Sequence, residues 1–287
     1  LGIVLRSAAE IEKLRRVNAL VARVLKELAA TVRPGVTTRQ LDELAERRLR
    51  EAGAEPAFKG YHGYPATICA SVNEQVVHGI PNDRPMIEGD IVSIDMGAKL
   101  DGFFGDSAVT VPVGRISPEA TRLLDVTRTA LDRAVATVKA GARVSDIGAA
   151  VQSYVEANGF SVVREFVGHG IGTALHEEPQ IPNYGTAGRG PRLQEGMALA
   201  IEPMVNAGKP AVKVLGDGWT AVTKDQTLSA HFEHTVVVTE DGCRILTLPE
   251  ESEQLDARGS AGASASADPS AGSGSSRAKS RDERAHV

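Results

Sequence analysis

The chain reads as a mixed fold of helices and strands made from two duplicated halves. Three observations predict this: two pairs of segments with helical apolar spacing, short β-branched runs after each pair, and an internal repeat that recurs in the same order in both halves.

The first helix begins at Ser7, which with Glu10 forms an S-x-x-E capping box and so satisfies amide donors that a helix start leaves free. Ile11, Leu14, Val17, Val21, Val24, Leu25 and Leu28 follow at the spacing of one helix face until Pro34-Gly35 stops it. A second helix over 38–53 places Leu41, Leu44, Ala45 and Leu49 on one face. Ser117-Pro118 opens a third, because proline suits the first helical position, and Gly141 closes it. A fourth runs from Ser145 to Asn158-Gly159. The runs 91–94, 109–111, 198–201 and 235–238 are short and rich in Val, Ile and Thr or Ala and Leu, which predicts strands. From Ser252 the chain turns to Ala, Gly, Ser, Asp and Arg with almost no apolar anchors, too few to offset the entropy of ordering. The expected organisation is therefore one folded unit over 1–251 and a disordered tail over 252–287.

The repeat has three parts. Gly35 and Gly53 bracket the second helix eighteen positions apart, and Gly141 and Gly159 bracket the fourth at the same distance. Glu88-Gly89-Asp90-Ile91-Val92-Ser93-Ile94-Asp95 matches Glu195-Gly196-Met197-Ala198-Leu199-Ala200-Ile201-Glu202, with an acid six residues past each glycine. Asp106 to Val111 likewise matches Glu233 to Val238. Each half thus reads helix, helix, strands, acid, strand, acid.

Bulk properties exclude several classes. A net charge of −5 gives no electrostatic case for DNA, and no stretch approaches the roughly 20 apolar residues that span a bilayer. Leu1 to Arg6 is too short and wrongly ordered for a signal peptide. Cys69 and Cys243 stand far apart, and two free thiols in a reducing cytoplasm is the preferred reading over a single disulfide.

Asp95 and Glu202 each end an apolar strand, where an ionised carboxylate is costly unless a cation or donor compensates it. Any one of these acids alone reads equally as a salt bridge or a cap. Four acids at repeat-equivalent places, Asp95, Asp106, Glu202 and Glu233, with no Lys or Arg beside them in sequence, are better explained by a metal pair. His169 supplies a nitrogen ligand in Gly168-His169-Gly170, where the flanking glycines allow close approach, although a histidine among glycines by itself reads as a loop residue.

These residues lie within longer motifs. Gly60-Tyr61-His62-Gly63-Tyr64-Pro65, Asn73-Glu74 with Val77-His78-Gly79-Ile80-Pro81, Gly105-Asp106-Ser107, Gly168 to Gly172 with His176-Glu177-Glu178-Pro179, Ile201-Glu202-Pro203-Met204, and Gly218-Trp219 through His231-Phe232-Glu233-His234-Thr235 occur in order over residues 3 to 250. Together they resemble the type I methionine aminopeptidases. The resemblance implies the α+β pita-bread fold: two pseudo-symmetric halves with flanking helices and a curved antiparallel sheet around two divalent ions. It implies that Asp95 holds one ion, Asp106 and Glu233 bridge both, and His169 and Glu202 hold the second. It also implies removal of the initiator methionine from nascent polypeptides with a small second residue, through a hydroxide shared by the two ions. Glu202 would be the general base, His176 would stabilise the oxyanion and His78 would hydrogen-bond near the scissile amide. Tyr61, Tyr64, Cys69 and Trp219 match the methionine pocket, although each aromatic alone reads as core. One imidazole and four carboxylates suit Mn²⁺, Fe²⁺ or Co²⁺, with Zn²⁺ or Ni²⁺ as alternatives. Asn73, Gln75 and Ser229 match positions that offer oxygens to a monovalent cation. The implied partners are nascent N-termini, with the ribosome as a further candidate, and the implied state is a monomer.

Two positions depart from the family pattern: Leu175 precedes His176 where an aromatic is frequent, and Phe104 precedes Gly105-Asp106 where His is frequent. Proline-specific relatives carry an extra domain before the metal-binding one, for which a helix starting at Ser7 leaves no room, and type II enzymes insert a subdomain where His169 and Glu202 are only 33 positions apart. A non-catalytic binding module of the same fold would have little reason to keep all five ligands.

Overall fold

Ser7 caps the first helix as its capping box demands. In the computed structural model, which describes residues 2–248, the Ser7 hydroxyl accepts from the Glu10 N–H at 3.4 Å and the Glu10 carboxylate accepts from the Ser7 N–H at 2.8 Å. Helix α1 (Ala8–Thr31) follows, and Thr37 with Gln40 repeats the device at the head of α2 (Thr38–Glu51). Strands β1 (Glu55–Pro56), β2 (Ile68–Val72), β3 (Gln75–Val77), β4 (Ile91–Leu100) and β5 (Phe103–Pro112) complete the first half. The second half opens with α3 (Pro118–Ala136) and α4 (Val144–Ala157). It continues through β6 (Ser161–Val162), β7 (Gly168–Gly170), β8 (Glu177–Ile181), β9 (Ala198–Ile201) and β10 (Met204–Asn206). Strands β11 (Val212–Val214), β12 (Ala221–Thr223), β13 (Ser229–His231), β14 (His234–Val238) and β15 (Cys243–Ile245) follow. The expected tail over 252–287 lies outside the described residues.

Helix α3 ends at Ala136, short of the glycine at 141 that the sequence marks as its stop. The Thr137 hydroxyl donates to Ala134 O at 2.7 Å and the Val138 N–H to Val135 O at 3.0 Å, which tightens the last turn. The amides of Ala140 and Gly141 are then taken by Thr239 O and Leu193 O from neighbouring segments. Tertiary partners end the helix before its glycine does.

Each half has its own core. Leu14, Val17, Val21 and Leu28 of α1, with Leu41 and Leu49 of α2, pack on Val92, Ile94 and Met96 of β4. Leu123 and Leu131 of α3 and Ile147 and Val151 of α4 pack in the same way on Leu199, Ile201 and Val236. Burying one such side chain contributes roughly 1.5–3 kcal/mol, so these faces hold helices against sheets.

Among the described residues all strand pairs are antiparallel, and they divide into four sheets. The first half has β4 between β1 and β2 with β5 also on β4, and the second has the order β15-β14-β9-β7-β8. Two smaller ladders, β13-β10-β6 and β11-β12-β3, complete the set. The division has a local cause. Strands β4 and β5 are joined by Asp101-Gly102, whose φ values of 50° and 81° suit a tight hairpin, and pair over their whole length. At the equivalent place in the second half, Pro203 follows Glu202 and has no N–H for the ladder. The interruption is local: β9 on β14 (Ile201 opposite His234) and β10 on β13 (Met204 opposite His231) keep one register across it.

The halves meet where the repeat-equivalent segments touch. The Glu233 N–H donates to Ala108 O at 2.9 Å, the Thr235 hydroxyl to Asp106 O at 2.8 Å, and the Ser107 hydroxyl to Glu233 O at 2.8 Å. Both cysteines are free thiols, and among the described residues no helix is long and apolar enough to cross a membrane.

Candidate metal centre

The strand ends at this seam carry the acids. Asp95 lies in β4 and Asp106 in β5, and because Asp106 faces Gly97 in register, the two are diagonal neighbours on one face. Glu202 follows β9, Glu233 precedes β14, and His169 is the middle residue of β7. The ligating atoms of Asp106, His169 and Glu233 all lie within 4.8 Å of one another. His169 Nε2 stands 3.9 Å from Asp106 Oδ2 and 3.6 Å from Glu202 Oε1.

This cluster is expensive as bare protein. Burial pushes the carboxyl pKa of Asp95, Asp106, Glu202 and Glu233 upward, and repulsion from neighbouring carboxylates adds to the rise for Asp95, Glu202 and Glu233. Among the described residues no Lys or Arg forms an ion pair with any of the four, and Asp95 Oδ1, Asp106 Oδ1 and Glu233 Oε1 are buried without a hydrogen bond. Uncompensated buried charge costs several kcal/mol per ion, which a multivalent cation among these oxygens would offset. The donor set, oxygen-rich with one imidazole, fits a divalent ion. His169 is prepared for the same role: burial holds its pKa down to about 3, so it is neutral. Its Nδ1 lies 2.9 Å from Gly170 O. With the proton on Nδ1 donated to that carbonyl, the Nε2 lone pair faces the acids.

Other side chains hold the ligands in place. Asn18, buried within α1, donates to Leu14 O at 2.9 Å and accepts the Asp106 N–H at 3.2 Å. Asn183 donates to Glu202 O at 3.0 Å. Gly168 and Gly170 flank His169 where neighbouring backbone leaves no space for a Cβ.

The cluster opens into a cavity of about 180 Å³ whose lining includes all eleven residues that the sequence offers for the metal centre, catalysis and the methionine pocket: the five candidate ligands with Tyr61, Tyr64, Cys69, His78, His176 and Trp219. Tyr64 is buried, with its hydroxyl 3.0 Å from the carbonyls of Ile68 and Gly79, and Trp219 meets its ring edge-on at 5.1 Å. Cys69 lies directly opposite Asp95 in the β2–β4 ladder. Burial and then the Asp95 charge push its thiol pKa up, which makes it a wall rather than a nucleophile. His176 Nδ1 is 2.8 Å from the Tyr61 hydroxyl, and its ring centroid is 4.3 Å from that of His169. His78 has a left-handed φ of 61° and packs edge-on to Phe166; burial lowers its pKa to about 4.

The loop before His176 is tied down from a distance. Glu177 accepts from the Thr173 and Ala174 amides at 2.8 and 3.0 Å, and the buried Arg6 guanidinium, from the segment before α1, grips its other oxygen. Of the two departures from the family pattern, Leu175 is buried in the cavity wall, whereas Phe104 donates its N–H to Gly172 O at 2.8 Å and does not line the cavity. Asn73 O accepts the Ser229 N–H at 2.9 Å, which brings those two segments together, while Gln75 Oε1 accepts the Val72 N–H. Phe58 and His62 also line the cavity and were not among the sequence candidates. Nor was His231, which lies 3.6 Å from Glu202. Only the Tyr-His-Gly and His-Phe-Glu contexts of these histidines could have drawn attention to them.

A paired helix-and-strand fold with buried, unpaired acids at its seam is what a metallopeptidase requires, and Metallopeptidase family M24 matches residues 12–240. Methionine aminopeptidase 1 of Bacillus subtilis (strain 168) is 52% identical over 85% of this chain and 99% of its own. Among solved structures, the methionine aminopeptidase of Thermotoga maritima superposes with a TM-score of 0.85 at 47% identity, covering 86% of this chain and 99% of that one. That of Rickettsia prowazekii gives a TM-score of 0.85 at 43% identity, covering 86% and 100%. The chain belongs to metallopeptidase family M24 and, within it, to the methionine aminopeptidases.

Proposed function

We propose that this chain removes the N-terminal methionine of nascent polypeptides by metal-dependent hydrolysis of the first peptide bond, preferring a small second residue. The observation that carries the reading is the buried cluster of Asp95, Asp106, Glu202 and Glu233 with neutral His169, paired with no Lys or Arg among the described residues and opening into a small, largely apolar cavity. Those five side chains would hold two divalent ions, Mn²⁺, Fe²⁺ or Co²⁺ in preference to Zn²⁺ or Ni²⁺. When bound, such ions polarise a carbonyl and acidify a water.

The remaining work belongs to the chain itself. Glu202, whose carboxyl burial raises, is the residue to accept a proton from water and return it to the leaving amine. His176, held by the Tyr61 hydroxyl, donates to the oxyanion of the attacked carbonyl, and His78 hydrogen-bonds near the scissile amide. Tyr64, Cys69 and Trp219, with Tyr61 at the rim, surround the methionine side chain, a soft thioether suited to aromatic and sulfur contacts. Asn73, Gln75 and Ser229 would offer oxygens to a monovalent cation. The catalytic unit spans 1–251 and works as a cytoplasmic monomer on nascent N-termini, with the ribosome as a further partner. A chain ending at Glu250 retains the peptidase activity.

The test is mass spectrometry of Met-Ala- and Met-Leu-starting peptides after incubation with chelated and metal-restored protein. The expected result is metal-dependent loss of Met from the Met-Ala peptides; its absence overturns the assignment. Full turnover by metal-loaded His176→Ala or His78→Ala protein would remove the role given to that histidine.

A further inference from the structure

We propose that His231 is a positioning residue for Glu202, its ring N–H holding one carboxylate oxygen so that the other stays turned toward His169. The inference rests on the metal-dependent reading above and adds a residue to it.

His231 is almost fully buried, and neither ring nitrogen has a hydrogen-bond partner. A buried imidazole in that condition is costly unless something at the site completes it. The Glu202 carboxylate faces the ring, with Nε2 3.6 Å from Oε2. The other oxygen, Oε1, stands 3.6 Å from His169 Nε2, so two imidazoles bracket one carboxylate.

The backbone of His231 is locked while its ring is left free. The Thr110 hydroxyl accepts the His231 N–H at 2.8 Å and lies 2.7 Å from the His231 carbonyl, and Ser93 Oγ is 2.8 Å from the same hydroxyl. Strand pairing adds a second constraint, since His231 is opposite Met204, two residues past Glu202. The position of His231 is therefore set by β5 and β10, independently of any contact the ring makes. The remaining gap exceeds a hydrogen bond, but the terminal torsion of a glutamate is soft, and a small rotation of the carboxylate closes it. A carboxylate held at one oxygen presents the other in a fixed direction, which is what a ligand needs. Outer partners of this kind change metal affinity by about 10–100-fold.

The experiment titrates chelated protein with Mn²⁺ by calorimetry and measures kcat and KM on a Met-Ala peptide, for the wild type, His231→Leu and His231→Gln. The amide of Gln carries an N–H donor and Leu does not. His231→Leu is expected to bind Mn²⁺ about 10–100-fold more weakly and to lose kcat at nearly constant KM, while His231→Gln recovers most of both. His231→Met replaces the Leu variant should that one not fold. Wild-type Mn²⁺ affinity in the apolar variant, or a Gln variant no better than the apolar one, overturns the proposal. A wild type that neither binds Mn²⁺ nor releases methionine instead removes the functional reading beneath it.

Discussion

Adding one methyl group beside His169 should disable the centre without touching a ligand. A Cβ at Gly170 would stand 2.3 Å from Glu178 O and 2.8 Å from its carbonyl carbon, and one at Gly168 would stand 2.4 Å from Ala200 O. These atoms are backbone of β8 and β9, so no side chain can swing aside. Ordinary contact is restored only if β7 retreats by about 1 Å from one neighbour, and overpacking of this kind costs roughly 1–3 kcal/mol. His169 rides on β7 between the two glycines, with Nε2 set 3.6 Å from Glu202 Oε1 and 3.9 Å from Asp106 Oδ2. A displacement of about 1 Å in a catalytic group costs on the order of 10²-fold in rate. Gly170→Ala is therefore expected to lower kcat/KM on a Met-Ala peptide about 100-fold and to lose roughly 1–3 kcal/mol in urea unfolding. Gly216→Ala, where an added Cβ meets nothing within 4 Å, is the control and should stay within about 0.5 kcal/mol. Wild-type turnover and stability in both Gly168→Ala and Gly170→Ala would refute the reasoning, because the strand would then be free to shift without moving its histidine.

Three further outcomes are expected. Asp106→Asn removes one buried charge, so the chelated variant should melt higher than chelated wild type, while the stabilisation that Mn²⁺ confers on the wild type and at least about 10²-fold of turnover are lost; a melting temperature at or below that of chelated wild type contradicts the repulsion argument. Arg6→Met leaves Glu177 with only the Thr173 and Ala174 amides and the Thr173 hydroxyl as donors and should cost about 1–3 kcal/mol and lower kcat by loosening the loop that carries His176, as read by thermal melts and peptide turnover; unchanged kcat would detach the N-terminal segment from the site. Burial lowers His234 from 6.5 to about 4, so as pH falls through that window the unfolded chain takes up a proton that the folded chain refuses, and stability present above pH 6.5 is lost by up to about 3 kcal/mol. The difference between wild type and His234→Gln in urea titrations from pH 7 to about 4.5 isolates this slope, and parallel profiles would exclude it.

What the sequence discloses about this fold depends on how locally each feature is determined. Helix α1 is legible because Ser7, Glu10 and a seven-residue apolar face are all short-range signals. The four acids are legible because duplication writes them twice. By contrast, strands of three residues such as β10 to β13 are too short for alternation to register, and β10 is parted from β9 only by Glu202-Pro203, where the ladder lapses without losing its register. The end of α3 is likewise set by Thr239 O and Leu193 O, partners far away in the chain. The site divides in the same way. Its ligands and pocket residues fall in recognisable motifs, but Asn18 looks like an ordinary helix residue until its amide is seen to meet Asp106. Arg6 acquires a role only across 171 positions, through Glu177. The two unpartnered nitrogens of His231 are a fact of three dimensions alone.

The seam between the halves also has a meaning in time. Glu233 is the last of the five proposed ligands in the chain, and its amide is tied to Ala108 of the other half. A chain still being synthesised presents Asp95 and Asp106 long before their counterparts exist. The centre can close only after β14 has emerged, so no incomplete molecule holds a finished site. On the proposed function, hydrolysis can begin only once the second half of the chain is complete.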